Sequence, residues 1–185
     1  MKRTFDVIVA LGLLVLLAPL LVVIVVAIRL SSRGPAIFAQ ERAGKHGRPF
    51  TCYKFRTMKL DAEPFGPSPK SGADPRLTGI GTWLREYSLD ELAQLANIVK
   101  GDMSLVGPRA LPVRDYNGFN EDWHRRRFSV RPGITCIWQI NGRCAIPFEK
   151  WMELDMEYID HWSLWLDLKI LTKTIPAVLR GSGAE

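Results

Sequence analysis

The chain has 185 residues, 47% of them hydrophobic, and a formal net charge of +6. Beyond a hydrophobic first stretch, about 155 residues remain, enough for one domain with its own core and too few for two of ordinary size. Apart from Arg125-Arg126-Arg127 the basic residues are dispersed, which argues against a nucleic-acid stripe and fits anionic headgroups or a phosphate-bearing substrate better.

From Val7 to Ile28 no residue carries a charge, and nearly all are Leu, Val, Ile or Ala. One straight helix over that stretch would be roughly 33 Å long, enough to cross a bilayer core. A cleaved signal peptide fits poorly, because the run exceeds a usual apolar region and Ile28-Arg29-Leu30 offers no small-x-small site. Two readings stand: a straight span, and a helix that turns back. Pro19 lacks an N–H and its ring would kink the helix there. Lys2 and Arg3 precede the stretch, and Arg29, Arg33, Arg42, Lys45 and Arg48 follow it. Positive charge on both sides gives neither end a reason to cross.

Residues 36–58 read as a β-hairpin, with Gly44-Lys45-His46-Gly47 as its loop and Lys54, Arg56 and Lys59 making the second arm basic. Those three cations face phosphate or headgroup oxygens in the sharper reading and solvent in the plainer one. Residues 61–75, rich in Pro, Gly, Ser and Asp, read as an excursion over a cleft. Ile80 to Arg85 returns to an ordered element. Ser88 to Gly101 predicts a helix, with a capping box of Ser88 and Glu91, a buried stripe of Leu92, Leu95, Ala96 and Val99, and Gly101 as its stop. Asp90 and Glu91 then sit in its first turn.

Gly107 and Pro108 force a turn ending in Arg109. Arg131 to Thr135 reads as a turn, Trp138 to Ile140 as a short strand-like run, and Asn141-Gly142-Arg143 as another turn ending in arginine. Pro147 opens a helix through Ile159, with Trp151, Leu154 and Tyr158 on one face. Ser163 to Leu179 reads as an interfacial helix whose polar residues Asp167, Lys169, Thr172 and Lys173 share one side, with Trp162 and Trp165 at headgroup depth; the plainer reading is a helix completing a soluble core.

Cys52, Cys136 and Cys144 lack metal-like spacing and read as free thiols, and His46, His124 and His161 are scattered. Walker A, dinucleotide-loop and paired-histidine metal motifs are missing. What remains is an acidic pair, Asp90 and Glu91, with Arg109 and Arg143 at glycine turns. Adjacent acids in a first turn are ordinary helix-dipole residues. The sharper reading gives them a nucleophile or Mg²⁺ ligand, with two arginines clamping a diphosphate.

The segments Ser88-Leu89-Asp90-Glu91-Leu92 and Lys100-Gly101-Asp102-Met103-Ser104-Leu105-Val106-Gly107-Pro108-Arg109 resemble those of the bacterial sugar transferases, the small monotopic polyprenyl-phosphate phosphoglycosyl transferases. Further matches are Tyr53 to Met58, Asp74 to Thr78, Arg131 to Thr135, Gln139 to Arg143 and Ser163 to Ile170. The resemblance implies transfer of a sugar-1-phosphate from a UDP-sugar to polyprenyl (undecaprenyl) phosphate, releasing UMP in a ping-pong reaction that requires Mg²⁺. By motif match Asp90 is the covalent nucleophile and Glu91 its partner, helping to hold Mg²⁺ or to deprotonate the acceptor. Arg109, Arg143 and Arg85 would neutralise phosphate, with Lys54, Arg56, Lys59 and Gln139 as further substrate-binding residues.

The implied fold is a membrane-associated α/β (α+β) single domain. Residues 1–33 would form a re-entrant helix kinked at Pro19, and 34–185 a catalytic domain on the cytoplasmic face of the bacterial inner membrane, with anionic lipids as partners and a homodimer compatible with the fold. Ala18 precedes Pro19 where some relatives have Ser. Cys136 stands where the family usually has Gly, a restriction on the backbone if that position needs positive φ. Cys144 stands where Asn or Asp is usual. A non-catalytic scaffold of a glycan-assembly complex and a membrane-tethered nucleic-acid module are the competing readings.

Overall fold

The computed structural model describes residues 1–62, 74–119, 121–141 and 147–179. Among these no single helix is long and apolar enough to cross a membrane. The hydrophobic stretch instead forms two helices, α1 (Lys2–Leu16) and α2 (Ala18–Ser31), bent by 63°. Leu17 breaks the run, with Pro19 in the first turn of α2. Its ring excludes the carbonyl four residues back and its nitrogen offers no hydrogen bond, so the helix cannot continue straight. The straight-span reading therefore fails, and the expected kink is present.

One face of this bent pair packs on the rest of the chain. Ala10 of α1 joins a core with Leu95, Ile98, Met103, Leu105 and Ile170, while Ile24 and Ile28 of α2 pack with Phe55 and Leu84. Both ends of the pair are latched by polar contacts. Lys2 Nζ lies 2.5 Å from Asp167 Oδ2, and Arg3 donates to the carbonyls of Ile98 and Val99. Asp6, buried, accepts from Ser104 Oγ and the Leu105 N–H. At the far end Arg56 donates to the carbonyls of Ser32 and Arg33. Arg56, expected from sequence among the substrate-binding residues, is buried in this latch.

Strands β1 (Ile37–Ala43) and β2 (Pro49–Phe55) form the expected antiparallel hairpin, with Ile37 opposite Phe55 and Ala43 opposite Pro49. The proposed excursion over 61–75 falls largely outside the described residues. Helix α3 (Gly79–Glu86) follows, capped by Thr78 Oγ1, which accepts from the Gly81 N–H.

The helix expected from Ser88 begins differently. Ser88 is left-handed, with φ 53°, and its side chain makes no capping bond. Leu89–Gln94 is a tight 3-10 turn, and only Leu95–Lys100 is α-helical (α4), ending at left-handed Gly101. The capping box fails because the Glu91 carboxylate is committed to two cations, which bind it more strongly than one backbone N–H would.

Strand β3 (Ser104–Val106) pairs in parallel with β4 (Gly133–Thr135). Short helices α5 (Val113–Gly118) and α6 (Asp122–Arg125) lie between them, and a 3-10 turn spans Arg126–Ser129. Trp138 to Ile140, expected as strand-like, belongs to a single helical turn, α7 (Ile137–Ile140), packed against the two C-terminal helices. These are α8 (Phe148–Asp160), which buries Leu154 and Tyr158 as predicted, and α9 (Leu164–Leu179).

Asp167 departs from its expected place on a polar face of α9. It is buried and accepts from Lys2, the Tyr158 hydroxyl and Trp162 Nε1. Trp165, Leu168, Ile175 and Leu179 are exposed instead, a spacing that puts them on one side of the helix.

The parallel pair depends on two glycines. A Cβ on Gly133 would lie 2.1 Å from the Gly107 nitrogen, and one on Gly107 would lie 2.5 Å from the Arg131 carbonyl oxygen. Both obstacles are backbone, so no side-chain rotation relieves them. Gly133→Ala is expected to destabilise the fold by roughly 1–3 kcal/mol, as overpacking does, measured by denaturant unfolding. Gly79→Ala, with nothing within 4 Å of the added carbon, is the control; equal stability of the two variants would refute the close-approach argument.

Candidate active site

The 3-10 turn at Leu89–Gln94 lays Asp90 and Glu91 against β2 and the segment following β3. Both acids are buried, at 6% and 8% exposure. An ionised carboxylate at such a site must be paired, and here the cations come from distant parts of the chain. Lys54, on β2, places Nζ 2.6 Å from Glu91 Oε1 and 3.7 Å from Asp90 Oδ2. Arg109, at the end of the Gly107-Pro108 turn, donates from Nη2 to Glu91 Oε1 at 2.7 Å and from Nη1 to Oε2 at 3.5 Å.

The two acids are therefore electrostatically unlike. Burial pushes the Glu91 carboxyl upward, but Arg109 and Lys54 outweigh it and hold the group well below the ordinary carboxylate range. Asp90 is pushed up, chiefly by burial, with Lys54 offsetting part of the shift, adjacent Glu91 adding to it, and Arg85 and Arg109 contributing favourable charge. The result is one acid locked as an anion beside a second, less firmly paired one. In its ionised form Asp90, with Lys54 Nζ 3.7 Å away, is suited to attack an electrophile whose departing group is an anion.

Of the residues singled out from sequence, Asp90, Glu91, Lys54 and Arg109 come together, and Arg85 acts on Asp90 through its charge. Lys59 is exposed and makes no ion pair among the described residues. Gln139 is partly buried, and its Oε1 accepts from the Cys136 thiol at 3.1 Å. It adjoins Trp138, whose ring lies 5.9 Å from the Arg109 guanidinium. Arg143 and Cys144 lie outside the described residues. Cys52 and Cys136 are buried free thiols. Cys136 is extended, at φ −153°, so replacing the usual glycine there imposes no backbone strain.

For a metal, Asp90 and Glu91 are the oxygen donors present. No group of three His, Cys, Asp or Glu that could hold an ion occurs among the described residues. Two carboxylates suit Mg²⁺ in its commonest enzymatic setting, where substrate phosphates and waters complete the octahedron. They do not form a protein cage. A cavity touching Arg109, lined also by Gly44, Pro108, Arg127 and Phe128, is about 10 Å³, room for about one water. It is not a site for a large substrate.

Sequence reading missed Arg127 and Asp155. Arg127, 1% exposed, donates from Nε and Nη2 to Asp155 Oδ2, and Nη2 also reaches the Arg109 carbonyl at 3.0 Å. The available signal was Asp155 itself, a carboxylate at helical spacing on the same buried stripe as Trp151 and Tyr158.

A model of the bacterial sugar transferase family matches residues 1–181. The chain belongs to that family. It is 45% identical over its whole length to the uncharacterized sugar transferase EpsL of Bacillus subtilis, covering 90% of that protein. Galactosyl transferase CpsE of Streptococcus agalactiae is 46% identical over 82% of this chain. The undecaprenyl-phosphate galactose phosphotransferase of Salmonella typhimurium is 37% identical over 100% of it. The chain spans only 36% and 41% of the lengths of those last two relatives.

Two measurements check the electrostatics. In Arg109→Met, the Glu91 carboxyl is expected to titrate at higher pH than in the unaltered protein, read from carbon-13 carboxyl shifts; an unmoved titration would mean the fork is not what holds the anion. Asp155 is held near 6 by burial, against which Arg127 pulls down. A raised folded-state pKa favours the protonated fold, so the stability it contributes is fully present below about pH 4 and is lost as pH rises to about 6. Relative to the unaltered protein, Asp155→Asn should gain unfolding free energy between those limits, and parallel pH profiles would contradict the assignment.

Proposed function

We propose that this protein transfers a sugar-1-phosphate from a UDP-sugar to polyprenyl phosphate at a membrane surface, through a covalent phosphosugar on Asp90. The observation that carries this reading is the buried acidic pair served by Lys54, Arg109 and Arg85. Two relatives supply the substrate class. One is the Salmonella protein, named as a galactose phosphotransferase for undecaprenyl phosphate. The other, from Escherichia coli, is named UDP-glucose:undecaprenyl-phosphate glucose-1-phosphate transferase; it is 40% identical over 95% of this chain, which spans 39% of its length.

In the proposed reaction an Asp90 carboxylate oxygen attacks the donor's β-phosphorus. The bond from that phosphorus to the bridging oxygen breaks, and UMP leaves with the electron pair. A phosphate oxygen of the polyprenyl acceptor then attacks the same phosphorus, and Asp90 departs as carboxylate. Lys54 and Arg109 are placed to balance the anionic charge that accumulates as UMP separates. Glu91, held ionised, is a weak proton acceptor; its geometry supports a role in fixing Lys54 and Arg109. Mg²⁺, which Asp90 and Glu91 would hold together with donor phosphates, would supply further neutralisation of diphosphate charge.

Membrane attachment is supported by the exposed apolar side chains of the bent pair, among them Ile8, Val15, Leu16, Val22 and Val23, and by the Trp165 to Leu179 face of α9. Water is a poor solvent for both, and lipid would cover them. Re-entrance is supported by the latches at the two ends of the pair. Lys2 and Arg3 at one end, and the Ser32 and Arg33 carbonyls at the other, hold to the same domain. Both ends then belong on one side of the bilayer, which in this reading is the cytoplasmic face.

The test uses the full chain in lipid nanodiscs with Mg²⁺, UDP-glucose or UDP-galactose, and undecaprenyl phosphate, measuring UMP release. Acceptor-dependent release with one of these or another UDP-sugar is expected, and Asp90→Asn should lower it by roughly a thousandfold or more. Turnover surviving in that variant would remove Asp90 as nucleophile. No release across a broad UDP-sugar panel would leave the reaction without support.

A further inference from the structure

We propose that Arg127, locked by Asp155, is a positioning residue for the reaction, holding the Arg109 carbonyl so that the Arg109 side chain is aimed at Glu91. This rests on the reaction proposed above and extends it to two residues that contact neither acid of the pair.

The main chain that carries Arg109 is clamped carbonyl by carbonyl. The Pro108 carbonyl accepts from the Gly133 N–H at 2.9 Å, the Ala110 carbonyl from Arg42 Nη1 at 2.9 Å, and the Leu111 carbonyl from the Ala43 N–H at 2.8 Å. Between them, the Arg109 carbonyl takes its hydrogen bond from Arg127 Nη2 at 3.0 Å. Arg127 is itself over-determined. Nε and Nη2 converge on Asp155 Oδ2 at 3.0 and 2.8 Å, and the guanidinium lies 5.1 Å from the Trp151 ring and 5.4 Å from the Phe128 ring. Carboxylate and rings together fix where its donors point.

Stability is a weak account of such a pair. Two charges taken fully out of water recover little net energy, and well-packed apolar residues commonly replace them without loss. What apolar residues cannot supply is a rigid donor at the Arg109 carbonyl. Lysine cannot supply it either while also serving Asp155, because it lacks the planar fork. The consequence falls on Arg109. With the backbone fixed at residues 108 to 111, its side chain leaves in one direction and reaches Glu91 at 2.7 Å.

The discriminating variant is Arg127→Met/Asp155→Leu, which removes both charges and leaves neither partner stranded. In this chain in nanodiscs it should melt within a few degrees of the unaltered chain. Amide exchange in the 107–111 segment should quicken while the β1–β2 hairpin is unchanged. UMP release should fall about 10- to 100-fold in kcat, the scale of a small misplacement, with KM for the donor moving less. A double variant that melts normally, exchanges normally at 107–111 and keeps kcat within about threefold would overturn the proposal. If the double variant fails to fold, Arg127→Lys decides it. That change keeps the charge beside Asp155, and the same exchange and kcat changes are expected; their absence would overturn the proposal equally. Silence of the unaltered protein in UMP release would count against the reaction, and the exchange result at 107–111 separates that failure from failure of the clamp.

Discussion

The Glu91 carboxylate is the contact on which the site depends. It is buried and charged, and it ties together three segments remote in the chain: the 3-10 turn that carries it, strand β2 through Lys54, and the turn after β3 through Arg109. Removing either cation would leave Glu91 with a single partner in a largely buried site, where an ionised carboxylate depends on its pairing. The register of β2 and the close approach of Gly107 to Gly133 are therefore electrostatic requirements as much as packing ones. A one-residue slip in the hairpin would turn Lys54 to the opposite face.

That demand also explains the local geometry. A regular helix from Ser88 would direct Glu91 back toward its own cap. The chain instead enters through a left-handed serine and a tighter turn, and both acids face the strand. Asp90 is the less firmly paired of the two, and burial raises its proton affinity, with the adjacent Glu91 anion adding to the effect and Lys54 opposing it.

The bent helical pair is wired into this frame. Asp6 of α1 accepts from Ser104 and the Leu105 N–H in β3, and the Tyr158 hydroxyl lies within hydrogen-bond distance of both the Val106 carbonyl, at 2.9 Å, and Asp167, at 2.8 Å, the partner of Lys2. The strand leading into Arg109 is thus braced by the segment proposed to enter the lipid. Charges that flank an apolar stretch in sequence are here internal ties, which is why Asp167 and Arg56 are buried rather than displayed.

The hairpin, the break at Pro19, the long C-terminal helices and the stop at Gly101 were all legible in the chain, because alternation, helical spacing, a missing N–H and a left-handed glycine act over a few residues. The acidic pair and Arg109 were legible as motif residues. The failures share a cause. The capping box at Ser88, the strand-like run at Trp138 to Ile140 and the polar face given to Asp167 were each reasonable local choices. Each was overridden by a partner far along the chain: Lys54 and Arg109, the C-terminal helices, and Lys2. Sequence by itself determined which elements form and which residues can carry charge or bend the backbone. Only the tertiary structure decided which charges meet, and with that which carboxylate is held as an anion and which arginine is a clamp. The pairing free energy of a buried ion depends on distance and desolvation, and neither quantity exists until the chain has folded.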